Sequence, residues 1–100
     1  MGFNTRVMPE ISRNSTVVAS QDQVSCEVHG EAAILQMKAG IYYSLDRVGA
    51  RVWQSIQKPI RVSELCSLIT SEYDVEPARC EQDLLELLEQ LATAGLIEVK

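Results

Sequence analysis

The spacing of the apolar residues changes once along the chain, and the change falls at Asp46. Before this residue apolar and polar side chains alternate, as they do from Val24 to Val28, and a period of two is typical of β-strands. After it, Val48 and Val52 begin a series at helical spacing. Strands that all precede the helices predict an α+β fold rather than alternating α/β units.

Glycines divide the first half of the chain into strands. His29-Gly30 and residues 38–40 supply the residues that tight hairpins use for positive backbone angles. A third apolar run follows at residues 41–45. We therefore predict a three-stranded antiparallel sheet. Residues 16–19 are compatible with a further strand or with the start of the first one.

The second half of the chain predicts three helices. Asp46 and Ser63 are suitable N-caps, and Pro77 suits a first helical position. Pro59 disfavours helix in the residue before it, and Gly95 is a suitable stop. The predicted helices are residues 47–58, 63–73 and 77–94, and residues 96–99 follow as a short apolar tail.

The third predicted helix is apolar over about half of its circumference, whereas a surface helix needs a stripe of only ~100 degrees. Two interpretations follow: part of this side borders a groove, or both flanks pack into the core of a small domain. Asp83 lies at the border of the apolar side, in the N-terminal half of the helix. The apolar residues are Cys80, Leu84, Leu85, Leu87, Leu88, Leu91, Ala92 and Ala94.

The strand at residues 41–45 contains two adjacent tyrosines, Tyr42 and Tyr43. Neighbouring side chains of a strand point to opposite faces, so one tyrosine should meet solvent or a partner. The strand carries no charge and no proline, and it ends the predicted sheet. Such an edge can pair with a strand of another chain. The sequence leaves open which tyrosine faces a partner.

The composition limits the classes of partner that the chain could bind. The 100 residues suffice for one domain, assigned to residues 15–100, preceded by an arm of residues 1–14. A net charge of −5 and scattered basic residues argue against a nucleic-acid partner. No apolar stretch approaches the roughly 20 residues that cross a bilayer, so no membrane partner is predicted.

The three cysteines are Cys26, Cys66 and Cys80. Their odd number and wide spacing are typical of reduced thiols in the cytosol, and a cytoplasmic location is predicted. We expect them to be small buried apolar residues.

No catalytic or metal site is predicted. Cys26 and His29 have the residue types of a nucleophile and its base, but on a regular strand they face opposite sides. A structural metal needs about four ligands, and the chain has one histidine. Phosphate loops, nucleophile elbows and dinucleotide fingerprints do not occur. We therefore predict a non-enzymatic protein without a cofactor.

Several short motifs resemble the PqqD-like family, also called RiPP recognition elements. The resemblance extends over about residues 24–99. It rests on Gly30-Glu31, Gly40-x-Tyr42-Tyr43-x-Leu45 with Asp46, Val48-Gly49-Ala50-x-Val52-Trp53, Ser63 with Leu65, Tyr73-Asp74-Val75, Asp83 followed by leucines, and Gly95-Leu96-Ile97.

The resemblance implies a winged helix-turn-helix-like domain of three strands and three helices. Members of the family bind the leader segment of a ribosomally made precursor peptide and present its core to modifying enzymes. The leader adds as an antiparallel strand to the third strand and lies in the groove between that strand and the third helix. By position, the implied strand residues are Ile41, Tyr42, Tyr43, Ser44 and Leu45, and the implied helix residues are Arg79, Cys80, Asp83, Leu84 and Leu87.

A stand-alone chain of this length resembles the leader-binding protein of lasso-peptide pathways, whose partner is a separate leader peptidase. PqqD itself, which serves a radical enzyme, is a less close fit. Two rival interpretations remain: a DNA-binding winged helix, which would need a basic recognition helix, and a regulatory protein that dimerises through its apolar helix.

Overall fold

The structure is a computed structural model, and it describes residues 11–100. The strands and helices follow the predicted order, and three short strands are added to it. One precedes the predicted sheet, one lies between the first two helices and one follows the third helix. They are β1 (Thr16–Ala19), β2 (Gln23–Val28), β3 (Glu31–Gln36), β4 (Ile41–Leu45), α1 (Arg47–Ser55), β5 (Ile60–Arg61), α2 (Val62–Glu72), α3 (Pro77–Thr93) and β6 (Ile97–Val99). The predicted α+β class is confirmed.

The predicted three-stranded antiparallel sheet is β2-β3-β4. His29 and Gly30 form the first turn with φ values of 54° and 83°, which is the two-residue hairpin geometry that fits the twist of the strands. Gly40, with φ of 68°, ends the second turn. The hairpin glycines therefore act as the sequence indicates.

A second antiparallel sheet has the order β5-β1-β6. Residues 16–19 are thus a separate strand rather than the start of β2. The prediction that residues 96–99 form an apolar tail is wrong in part, because residues 97–99 pair with β1 as a strand. Strands of two and three residues are too short to show a period, and only pairing with a distant segment makes them strands.

Four helix boundaries differ from the prediction, and the ends of the second and third helices differ by one residue each. The first helix ends at Ser55, three residues before Lys58. The second begins at Val62, and Arg61 rather than Ser63 is its N-cap. Backbone N–H groups at the start of α2 donate to residues 13 and 15 of the preceding segment. Tertiary backbone bonds therefore replace the side-chain cap that the sequence suggests.

The core lies between the two sheets and the helices. Trp53 is 4% exposed, and its indole N–H donates to Ser25 Oγ at 3.1 Å. Ile11, within the predicted arm of residues 1–14, packs into this core, while residues 1–10 lie outside the described residues. The largest fully buried side chains are Val17, Ile34, Val52, Ile56, Val62, Leu65, Leu88 and Leu96.

The expectation of three buried cysteines is wrong for two of them. Cys80 is buried, Cys66 is half-buried and Cys26 is exposed. Cys26 is exposed because the other side of β2, with Ser25 and Glu27, faces α1. Along residues 11–100, no helix is both long and apolar enough to cross a membrane.

Helices α1 and α2 are joined by a bidentate ion pair between Arg51 and Glu72. Arg51 Nε lies 2.8 Å from Glu72 Oε1, and Nη2 lies 2.9 Å from Oε2. These hydrogen bonds hold the pKa of the Glu72 carboxyl below its ordinary value of 4.5 and raise the pKa of Arg51. Two parallel bonds also fix the geometry of the pair.

Glu72→Gln tests this pair through its pH dependence. A carboxyl whose pKa is lowered by folding stabilises the folded state above its ordinary pKa of 4.5, and that stabilisation is lost as pH falls through the lowered value. The melting temperature of the variant should therefore be lower than that of the wild type at neutral pH, and the difference should shrink in acid. A difference that stays constant over this range would contradict the ion-pair account.

Leu88→Ala tests the packing of α3. Leu88 has 0% of its surface exposed, so removing its methyl groups should lower the free energy of unfolding by about 2–5 kcal/mol. Leu87→Ala, the matched control at the adjacent half-buried position, should cost clearly less. Urea denaturation followed by circular dichroism measures both. Equal losses would show that the two positions are packed alike.

Candidate functional site

A groove of about 690 Å³ lies between the end of β4, the start of α1 and one side of α3. Its volume is in the range of ligand-binding clefts, about 300–1,000 Å³. We call it the β4–α3 groove. It is lined by Ser44, Leu45, Asp46, Val48, Gly49, Val52, Ile69, Tyr73, Val75, Cys80, Asp83, Leu84, Leu87 and Gln90.

The wall formed by α3 follows from how this helix packs. Leu84 and Leu88 are 4% and 0% exposed, so their side of the helix faces the core. Leu87 is half-buried and Asp83 is exposed, and both line the groove. Both interpretations of the apolar side of α3 therefore apply in part. The middle of this side packs into the core, and one flank borders the groove.

Six of the ten residues implied by the resemblance line this groove. They are Ser44, Leu45, Cys80, Asp83, Leu84 and Leu87. Tyr43 lines a neighbouring open depression of about 510 Å³, formed with side chains from the C-terminal half of α3 and its C-cap, Ala94. Gln90 lines both spaces, so they are neighbours along α3.

The remaining three predicted residues, Ile41, Tyr42 and Arg79, line neither space. Ile41 is at the far end of β4 and is 49% exposed. Arg79 lies one helical turn before Asp83, and its Nε is 3.3 Å from Asp83 Oδ2. Both side chains of this pair are mainly exposed, so the carboxylate lies at the solvent-accessible margin of the groove.

The structure assigns the two tyrosines to different faces. Tyr43 is opposite Ile34, which has 0% exposure, and Tyr43 itself is half-buried against the core. Tyr42 is opposite Leu35 and is 73% exposed. Residues directly opposite in an antiparallel pair share a face. Tyr43 is therefore the tyrosine on the groove side, and Tyr42 points to the other face of the sheet.

The outer edge of β4 is available for pairing. Within residues 11–100, β4 pairs with β3 alone, so one side of its backbone presents unpaired donors and acceptors. Five residues of strand extend about 17 Å. This edge runs beside the groove, because Ser44 and Leu45 belong to both.

Sequence reasoning missed the part of the groove contributed by α1 and the end of α2. Val48 lines the groove and is 41% exposed. Tyr73 and Val75 line it from the α2–α3 connection. The signal for Val48 was present, since it continues the apolar series of Val52 one turn earlier. The helical spacing of Val48 and Val52 does not indicate that Val48 stays exposed.

The groove carries no reactive thiol. Burial, followed by a hydrogen bond to Cys66, raises the pKa of Cys80 to about 11, so its thiol stays protonated at neutral pH. Residues 11–100 contain no group of three or more His, Cys, Asp or Glu side chains placed to hold a metal ion. What the groove offers is apolar contact, a carboxylate at its margin and a strand edge.

Three comparisons with known proteins bear on this arrangement. The family model described as coenzyme PQQ synthesis protein D (PqqD) matches residues 31–97. This range contains β3, β4 and all three helices. The chain therefore belongs to the PqqD family.

Two solved structures are similar to this chain. The structure of TbiB1 in complex with the TbiA(beta) leader peptide is 33% identical, with a TM-score of 0.76 over 81% of this chain and 94% of that chain. A lasso peptide synthetase B1 complexed with the leader peptide is 21% identical, with a TM-score of 0.73 over 82% and 96% of the two chains. The second likeness shows the fold alone. No curated protein matches the chain.

Thiol labelling tests the environments of the cysteines. A pKa raised from 9.0 to about 11 lowers the thiolate fraction of Cys80 at neutral pH by about 100-fold, and burial limits access further. A maleimide should therefore modify the exposed Cys26 quickly in the native chain, and Cys80 only after denaturation. Peptide mass spectrometry locates the label. Native labelling of both residues at similar rates would contradict the assigned burial.

Proposed function

We propose that this protein binds the leader segment of a ribosomally made precursor peptide by strand addition and delivers it to a leader peptidase or another modifying enzyme. The observation that carries the proposal is the open edge of β4 beside an apolar groove walled by α3. It is supported by the 33% identity to TbiB1, a protein whose structure holds a leader peptide.

In strand addition, different contacts provide affinity and selectivity. Backbone hydrogen bonds along Ile41–Leu45 bind any extended peptide, and side chains at alternate positions of the peptide enter pockets that select among sequences. In this chain the pockets lie beside Tyr43 and between Leu84, Leu87 and Val48. They suit apolar or aromatic leader side chains.

Charge adds a second element of selectivity. Asp83 lies at the margin of the groove, and Glu86 and Glu89 line the adjoining depression. The whole chain has a net charge of −5. A leader or enzyme partner with Lys or Arg in these regions is therefore favoured, and its binding should weaken modestly as salt increases.

The protein acts in this proposal as a peptide chaperone and not as an enzyme. The thiol within the groove is protonated at neutral pH, and delivery requires only binding and release. We place it in the cytoplasm, where an exposed, unpaired cysteine such as Cys26 stays reduced. The family description, coenzyme PQQ synthesis, favours a PqqD-type chaperone for a radical enzyme as the second candidate. The enzyme that binds the loaded protein distinguishes the two.

Fluorescence polarisation with labelled leader peptides from the same genome tests the proposal. The wild type should bind with micromolar or tighter affinity. Leu87→Ala removes apolar contact from the groove and should weaken binding roughly tenfold, equivalent to about 1.4 kcal/mol. Asp83→Ala should also weaken binding, with a smaller dependence on salt than the wild type.

Gln82→Ala is the matched control, because Gln82 is exposed beside Asp83 and does not line the groove. It should bind like the wild type. Circular dichroism checks that each variant is folded. Absence of binding to any leader by the folded wild type would reject the proposal and leave the regulatory, dimerising protein as the better account.

A further inference from the structure

Two of the three cysteines meet where α2 packs on the first turns of α3. Cys66 is half-buried on α2, and its thiol donates to the carbonyl oxygen of Pro77, the first residue of α3, with Sγ and O 3.9 Å apart. Residues three apart on a helix lie on the same side of it, so Cys80 follows one turn beyond this contact. Cys80 is part of the buried core, and Cys66 packs against that core. The two thiols are therefore neighbours across the contact between α2 and α3, and a hydrogen bond joins them.

The two thiols differ in their access to solvent. Cys66 lines an open, mostly polar cavity of about 340 Å³ between α2 and the start of α3. Cys80 is 5% exposed and lines the β4–α3 groove instead. A small reagent dissolved in water can therefore reach Cys66 more readily than Cys80. An accessible thiol with a second thiol beside it is the arrangement of redox-sensitive cysteine pairs, in which the second thiol resolves the oxidised first one.

We propose that Cys66 and Cys80 form a reversible intramolecular disulfide when the protein meets a small disulfide such as oxidised glutathione. The inference does not depend on the proposed function. Disulfides in cytosolic proteins are usually transient and redox-sensing, and this pair would link two helices through side chains that are already in contact. Cys26, on β2, takes no part in it.

The reaction is two successive thiol–disulfide exchanges. The Cys66 thiolate attacks one sulfur of oxidised glutathione, which forms a mixed disulfide and releases one glutathione thiolate. The Cys80 thiolate then attacks the Cys66 sulfur, which forms the bond between the two cysteines and releases the second glutathione thiolate. The two cysteines lose two electrons and two protons, and these convert one oxidised glutathione into two molecules of glutathione.

The second exchange depends on the first through the pKa of Cys80. Burial is the main cause of that raised pKa, and the hydrogen bond to Cys66 and the negative charge of its thiolate add to it. A mixed disulfide on Cys66 carries no thiolate charge, so this contribution disappears and the Cys80 thiolate forms more easily. The attack is also intramolecular, and the effective concentration of a well-placed group far exceeds that of a dissolved thiol. Cys80 therefore reacts with its neighbour although it is sheltered from external reagents.

The disulfide would close a loop that contains part of the groove wall. Tyr73 and Val75 lie between the two cysteines in the chain and line the β4–α3 groove, as Cys80 does. A cross-link removes conformations from the unfolded chain and restrains the segment that it closes. Oxidation therefore stabilises the domain and stiffens this wall of the groove, which connects the redox state of the protein with its site.

Oxidised glutathione acting on the native full chain tests the proposal. Cys26→Ser leaves Cys66 and Cys80 as the two cysteines of the chain. After incubation, free thiols are blocked with N-ethylmaleimide in denaturant. Intact-mass spectrometry should show a monomer that carries neither glutathione nor N-ethylmaleimide. Trypsin cleaves after Arg79, between the two cysteines, and should release their peptides as a linked pair. Dithiothreitol should restore two reactive thiols.

Two matched variants assign the steps. Cys26→Ser/Cys80→Ala should keep one glutathione on Cys66, because the resolving thiol is missing. Cys26→Ser/Cys66→Ala should stay unmodified, because Cys80 is buried. Circular dichroism checks that each variant is folded. A glutathione adduct that persists on Cys66 of Cys26→Ser while Cys80 stays free, a link between two chains, or a bond that forms only in denaturant would overturn the proposal.

Melting temperature and hydrogen exchange show whether the bond fits the folded protein. Oxidised Cys26→Ser should melt at least about 5 °C above its reduced form, and exchange of the backbone amides of Tyr73 and Val75 should slow. The same oxidant should leave the melting temperature of Cys26→Ser/Cys66→Ala unchanged. A lower melting temperature of the oxidised form would show that the bond strains the native packing and would overturn the proposal. Unchanged exchange in this segment, with the bond formed, would overturn its connection with the groove.

Discussion

Burial of one side of α3 fixes the geometry on which the rest of the site depends. Leu84, Leu88 and Leu91 are at most 4% exposed, so the helix cannot rotate without exposing them. This orientation places Leu87 and Asp83 along the groove. A binding wall that is held by core packing keeps its shape before a peptide arrives, which lowers the entropy lost on binding.

The second sheet stabilises this arrangement by pairing segments that are distant along the chain. Strand β1 lies between β5, which leads into α2, and β6, which follows α3. Backbone bonds from Ala19 to Ile56 and from Ser20 to Leu96 continue the connection into α1 and the end of α3. Short strands thereby hold three helices together, while the β2-β3-β4 sheet keeps an open edge on β4 and an open face.

The adjacent tyrosines of β4 show how one strand can serve two surfaces. Tyr43 is half-buried and borders the depression beside α3, whereas Tyr42 is 73% exposed on the other face of the sheet. In the proposed function, the first contributes to peptide selection. A peptide added to β4 would contribute to both surfaces by the same alternation.

The sequence by itself determined the elements whose signals are local. The alternation from Val24, the hairpin residues His29 and Gly30, the cap Asp46 and the start at Pro77 all act within a few residues of where they stand. The family motifs added the expected groove. Tertiary structure decided the elements that need partners far along the chain. Residues 97–99 become a strand only by pairing with β1. Arg61 caps α2 because backbone from residues 13 and 15 lies beside it. The faces of Tyr42 and Cys26 were likewise settled by α1, which covers one side of the sheet and leaves the other to solvent.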